Sequence, residues 1–99
     1  MNIGKAIKKI RTEKSLSQKD LSERTTISRT SLSQIEKGKK RPSVKNLKKI
    51  CSILEVPDTL VYFYGLEESD IPKKNKKLYD LIYPSLENMI RKLMVVENN

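Results

Sequence analysis

Ser17-Gln18-Lys19-Asp20-Leu21-Ser22-Glu23-Arg24-Thr25-Thr26-Ile27-Ser28-Arg29-Thr30-Ser31-Leu32-Ser33-Gln34-Ile35-Glu36-Lys37-Gly38 is the stretch on which the fold turns. Ser17 and Ser28 have the chemistry of helix N-caps, and Asp20, three residues after Ser17, completes a near capping box with Asp in place of Glu. They predict two short helices, 18–25 and 29–36, joined by a three-residue turn. The β-branched Thr25-Thr26-Ile27 ends the first, and Gly38 ends the second because it enters the left-handed region without penalty. Leu21 points inward. Leu32 and Ile35 give the second helix a buried edge and leave Arg29, Thr30, Ser33 and Gln34 mostly on its other side.

Working outward, Asn2 caps a first helix running to about Lys14, with Ile3, Ile7 and Ile10 on one stripe and Lys5, Lys8, Lys9 and Arg11 around the rest. Gly4 and Ala6 are small enough to permit a close approach. Beyond the basic connector Lys39-Lys40-Arg41-Pro42, Ser43 caps a fourth helix whose Val44, Leu47, Ile50, Cys51 and Leu54 recur at helical steps. Val56-Pro57-Asp58 opens a short fifth helix ending near Tyr64, with Gly65 as its stop. Residues 66–75 read as a linker. From Lys76 the helical period returns in Leu78, Leu81, Ile82, Leu86, Met89, Ile90 and Leu93, but Pro84 stands inside it. A proline lacks the amide donor and crowds the preceding turn, so a kink or a pair of helices, 76–83 and 85–95, is expected. The fold class is all-α: residues 1–65 as one domain, then the linker, then a helical extension over 76–99.

Composition narrows the function. The chain of 99 residues carries a net charge of +9. Residues 1–50 hold 15 basic and 4 acidic side chains, and residues 51–99 hold 6 and 8, so the front half is +11 and the rear −2. Such asymmetry favours a polyanionic partner for the front and leaves the rear to bind something uncharged or itself. There is no histidine and a single cysteine, Cys51, on an apolar helix face. An intrachain disulfide, a thiolate metal cluster and imidazole catalysis are therefore excluded, and no cofactor or metal is expected. Asp58, Asp70 and Asp80 are scattered, and Ser17, Ser28 and Ser43 are explained as caps, so nothing suggests an enzyme. No run is long and apolar enough to span a bilayer, and charges interrupt the N-terminal apolar residues where a signal peptide would need a continuous stretch. A cytoplasmic location is the default expectation.

Two short helices across a three-residue turn make a helix-turn-helix, in which the first helix braces and the second enters a major groove about 12 Å wide. Arg29 has the donor fork for guanine, Gln34 the amide for adenine, and Thr30 a hydroxyl or methyl for a base edge, with Ser33 as a fourth candidate. Phosphate contacts form a separate class: Gln18 at its helix start, and Lys39, Lys40 and Arg41 just past the second helix.

From Ile3 to about Tyr64 the chain resembles the lambda-repressor-like, or XRE-type, family of five-helix DNA-binding domains. The residues that carry the resemblance are Ile7-x-x-Ile10-Arg11, Leu16-Ser17-Gln18-x-x-Leu21, Ile27-Ser28, Leu32-Ser33-x-Ile35-Glu36-x-Gly38, Pro42-Ser43 and Leu47-x-x-Ile50. The resemblance implies a sequence-specific transcriptional regulator, often a repressor, binding operators as a dimer. It also implies that Gln18 contacts a phosphate while buttressing the first recognition residue, and that Arg11 pairs with Glu36 as a structural ion pair. Ser22 stands where the family usually has alanine and Thr26 where it usually has glycine. A β-branched residue resists positive φ, so the turn is expected to shift slightly.

Homodimerisation is the expected use of the rear segments, which give a small core more surface to bury. The candidates are Tyr62 and Phe63 in the fifth helix and Leu78, Ile82, Leu86, Met89, Ile90 and Leu93 in the extension. A dimer spaces two recognition helices about one turn of DNA apart and calls for a palindromic operator. Packing of the extension on its own domain, or onto another protein as in an antitoxin that autoregulates through DNA, stands as the alternative.

Overall fold

A computed structural model of the chain describes the backbone of residues 1–96 and the side chains of residues 1–92. Among these the order is α1 (Ile3–Glu13), α2 (Gln18–Thr25), α3 (Arg29–Glu36), α4 (Val44–Leu54), α5 (Asp58–Gly65), two 3₁₀ turns and α6 (Lys76–Val96). The chain divides into two compact units, 1–66 and a second beginning at Glu67.

Capping chemistry sets the helix starts of the first unit. The side chains of Asn2, Ser17, Ser28 and Ser43 each accept a backbone amide three residues on, from Lys5, Asp20, Ser31 and Asn46. At Ser17 the box is reciprocal, since the Asp20 carboxylate accepts the Ser17 amide at 3.0 Å. That backbone bond, with help from the Ser17 hydroxyl, holds the Asp20 carboxyl below the usual carboxylate range. The depressed pKa means the contribution is present above the unfolded-state value and is lost as pH falls through the folded one.

These helices pack α1 against α3 and α5, α2 against α3 and α4, and α4 against α5. Ile7, Ile10, Leu21, Leu32, Ile35, Ile50, Leu54 and Val61 are fully buried where they meet. Cys51 belongs to this core, and burial, with Asp58 as a lesser cause, pushes its thiol pKa up. It behaves as a small hydrophobe.

The α1–α3 crossing depends on Gly4. A Cβ built there would lie 1.8 Å from the Ile35 carbonyl oxygen, which is backbone and cannot move aside alone. Gly65 ends α5 as expected, and its carbonyl also accepts the Asn2 amide at 2.7 Å, closing the start of the unit onto its end.

The second unit departs from the expectation in two places. Residues 66–75, read as a linker, contain 3₁₀ turns at Glu68–Asp70 and Lys73–Asn75, the first closed by the Glu67 amide donating to the Asp70 carboxylate. Of the two outcomes expected at Pro84, the division into helices 76–83 and 85–95 does not occur: α6 is one 21-residue helix with the proline inside it. The missing amide would have served the Asp80 carbonyl, and both residues are exposed, so water can satisfy what the proline leaves open.

Gly4→Ala is expected to lower the unfolding free energy of the full chain by about 1–3 kcal/mol, the range for forcing extra volume into a packed crossing. Urea denaturation followed by circular dichroism measures it. Gly38→Ala at φ 77° is the strain control, because open space surrounds that Cβ.

Candidate nucleic-acid interface

Two buried charges lock α3 in place. The Arg11 guanidinium donates through Nε to Glu36 Oε2 at 2.7 Å and through its Nη2 to Glu36 Oε1 at 3.0 Å. The paired side chains are 9% and 2% exposed, so the forked geometry is what offsets their desolvation. The remaining guanidinium nitrogen donates to the Leu16 carbonyl at 2.7 Å, tying the α1–α2 connection to the same point. The Gln18 side-chain amide adds a fourth bond, to Glu36 Oε1 at 3.0 Å. Glu36 on α3 is thereby held by α1 and by the first residue of α2 together.

The turn between α2 and α3 is fixed by hydroxyls. Thr25 Oγ1 donates to the Leu21 carbonyl at 2.6 Å and accepts the Ile27 amide at 3.3 Å. Ser22 Oγ donates to the Ile27 carbonyl at 2.5 Å, while the Ile27 side chain is buried. Thr26 sits at φ 63°, ψ 11°, in the left-handed region. Thr26 thus adopts the positive φ that a β-branched residue resists, and the Ser22 hydroxyl ties α2 to the far side of the same turn. The tether and the strained residue share one turn, and a hydrogen bond of this kind can offset a strain of about 1 kcal/mol.

With Leu32, Ile35 and Glu36 buried, α3 turns Arg29, Thr30 and Gln34 outward to exposed positions, with Ser33 half-buried. Lys39, Lys40 and Arg41 follow directly and are exposed, and the Lys40 ammonium reaches the Ser31 hydroxyl at 3.4 Å, which places it beside α3. Gln18 is half-buried. Its bond to Glu36 was not legible in the sequence, where only its place at a helix start was visible. The Ser22 tether was missed for a similar reason, since a lone serine inside a helix carries no spacing signal.

A helix-turn-helix family model matches residues 7–61, more than half of the chain and the whole of the α2–α3 pair with its bracing helices. The chain belongs to the helix-turn-helix family. Comparison with curated proteins gave no match. As a helix-turn-helix protein it carries a DNA-binding regulatory domain and is a binding module, not a catalyst. The described residues contain no group of three or more His, Cys, Asp or Glu side chains able to hold a metal ion, and no helix long and apolar enough to cross a membrane.

Among the other candidates, Tyr62 is exposed and Phe63 half-buried on α5. Leu78, Ile82, Leu86 and Met89 are exposed and Ile90 half-buried on α6, and the side chain of Leu93 lies outside the described residues.

Arg11→Met, which strands the buried Glu36 carboxylate, is expected to destabilise the fold by about 3–5 kcal/mol. Adding Glu36→Leu should recover most of that loss, because the stranded charge goes too. Thermal or urea unfolding of the two variants gives the comparison.

Proposed function

We propose that the protein is a sequence-specific regulator of transcription that reads double-stranded DNA with the outer face of α3, on an operator made of inverted half-sites. The observation that carries this reading is that an eight-residue helix, fixed from behind by a buried ion pair, presents Arg29, Thr30 and Gln34 together to solvent. A side chain held on a rigid support loses less freedom on binding, so its hydrogen bonds discriminate between bases more sharply.

The roles divide by chemistry. Arg29 donates two parallel bonds to guanine N7 and O6, and Gln34 pairs with adenine through its amide. Thr30 and Ser33 supply hydroxyls at the groove floor or wall. Lys39, Lys40 and Arg41 meet phosphates beside the helix, and the Gln18 amide meets one on the other side, setting depth and register without reading sequence. The Gln18–Glu36 bond gives that phosphate contact a mechanical link to the core. The front-half charge of +11 draws the duplex in and makes binding strongly salt-dependent.

Selection from a random duplex library should enrich an inverted repeat. On the selected site, Arg29→Ala should weaken binding about 10- to 100-fold and relax the preference at one position per half-site, each base contact being worth about 1–3 kcal/mol. Lys40→Ala should weaken all duplexes alike and lower the slope of log affinity against log salt by about 1. Equal affinity for selected and scrambled duplexes would refute sequence-specific reading.

A further inference from the structure

The reading of DNA leaves most cations of the front half without a role. Arg11 is held in the core pair, and Arg29, Lys39, Lys40 and Arg41 are assigned to the duplex, so ten of the 15 basic side chains in residues 1–50 take no part in it. Three of those ten, Arg24 on α2 with Lys48 and Lys49 on α4, converge with Thr26, Ser52 and Ile53 around one surface hollow of about 490 Å³. No residue assigned to DNA lines it, and no carboxylate does. α4 itself carries three lysines and no acidic residue in its 11 residues.

The hollow is not wholly polar. Ile53 lies about 100° round α4 from the buried stripe of Leu47, Ile50, Cys51 and Leu54, and it stays half-buried, so the core makes only partial use of it. Lys49 and Ile53 are one helical turn apart, as are Lys48 and Ser52, so each pair shares a face of α4. Lysine stems cover apolar surface while their ammonium groups stay in water. The Thr26 hydroxyl already donates to the Thr25 carbonyl, at 2.5 Å, whereas Ser52 adds a hydroxyl donor at an exposed position. An aliphatic floor thus lies under a rim of three cations.

We propose that this hollow docks an acidic segment of another protein, which lays carboxylates against Arg24, Lys48 and Lys49 and sets one aliphatic side chain on Ile53. Other anions meet only half of the surface. A free phosphate would find no buried donor, since Arg24 and Lys48 are exposed and Lys49 half-buried, and water would compete for every bond. Grooves for single-stranded nucleic acid stack bases on aromatic side chains, and no aromatic residue lines this one. A duplex backbone answers the cations but offers little apolar surface for Ile53 to bury against. An acidic peptide with an aliphatic side chain supplies both.

Exposed ion pairs are individually weak and screened by salt, so one short segment should bind with a dissociation constant of about 0.1–1 mM. Such a contact becomes effective when both proteins are held on the same DNA, where the effective concentration reaches about 1 mM. That use rests on the operator reading above, whereas the docking itself does not.

An NMR titration of the full chain without DNA tests the docking. The probe is a capped peptide of about 12 residues, all glutamate except a central leucine, added to about 2 mM. The amides of Arg24, Thr26, Ser52 and Ile53 and the Ile53 methyl groups should shift and saturate. Lys48→Gln combined with Lys49→Gln should weaken binding about 5- to 10-fold, and a peptide with serine in place of leucine should bind about 3- to 10-fold more weakly. The double variant should keep its affinity for a selected duplex within about twofold, with the salt slope unchanged. Shifts confined to Arg29 and residues 39–41, no saturable shift, or a double variant that binds the peptide as well as the wild type would overturn the docking. An equal response of the hollow to an oligothymidylate of about 12 nucleotides, or a salt slope lowered by about 1–2 in the double variant, would assign the lysines to nucleic acid and overturn it too. Because the titration contains no DNA, its outcome is independent of what α3 reads.

Discussion

The forked bond between Arg11 and Glu36 is the constraint on which the rest of the DNA-binding unit depends. A helix of eight residues has little stability alone, since its nucleation penalty is spread over too few hydrogen bonds. Its direction must come from tertiary contacts, and apolar packing alone is non-directional. A guanidinium and a carboxylate meeting in one plane, each buried, have only one good mutual orientation. Because Glu36 ends α3 and Arg11 nears the end of α1, that orientation fixes the last turn of α3 against α1, while Gly4 lets the two backbones touch at Ile35. The opposite end of α3 is held by the hydroxyl-braced turn at Ser22, Thr25 and Ile27. Between two anchored ends, the exposed face has little freedom to rotate.

Much of the chain's charge asymmetry follows from this arrangement. Two of the four acidic groups of the front half are engaged in structure: Glu36 in the core pair and Asp20 in the capping box. Several of its cations stay exposed, among them Arg29 and the run from Lys39 to Arg41. The unit thus takes part of its negative charge into structural bonds and leaves a surplus of positive charge outside, a distribution that favours a polyanion. The rear half is near neutral, and its long helix α6 carries exposed apolar residues. A positively charged surface and an exposed apolar one therefore lie on separate units.

How far the structure was readable in the sequence depended on how local each signal was. Caps are local: Asn2, Ser17, Ser28 and Ser43 gave four helix starts correctly because each bond spans three residues. The apolar period likewise identified Leu21, Leu32, Ile35, Ile50 and Leu54 as core. What stayed hidden involved backbone carbonyls or distant partners. Gly65 was legible as the end of α5, but the Asn2 amide that bonds its carbonyl from the other end of the unit was not. Thr26 looked like an obstacle to the turn, because the Ser22 hydroxyl that accompanies it leaves no trace in spacing. Pro84 was read as a kink or a break, and the break is absent because a proline on an exposed face leaves the Asp80 carbonyl open to solvent. Of the interface, the outward set on α3 was legible from periodicity, and the bond from Gln18 to Glu36 was not.

The most direct measurement of the central claim is an NMR titration of the full chain with a duplex selected by it, following backbone amides together with the arginine Nε–H and glutamine side-chain signals. The account predicts that the largest shifts fall on Arg29, Thr30, Ser33 and Gln34, with a second group at Gln18 and residues 39–41, while the Arg11 Nε–H moves little. Large shifts confined to α5 or α6, with the α3 side chains unmoved, would contradict it.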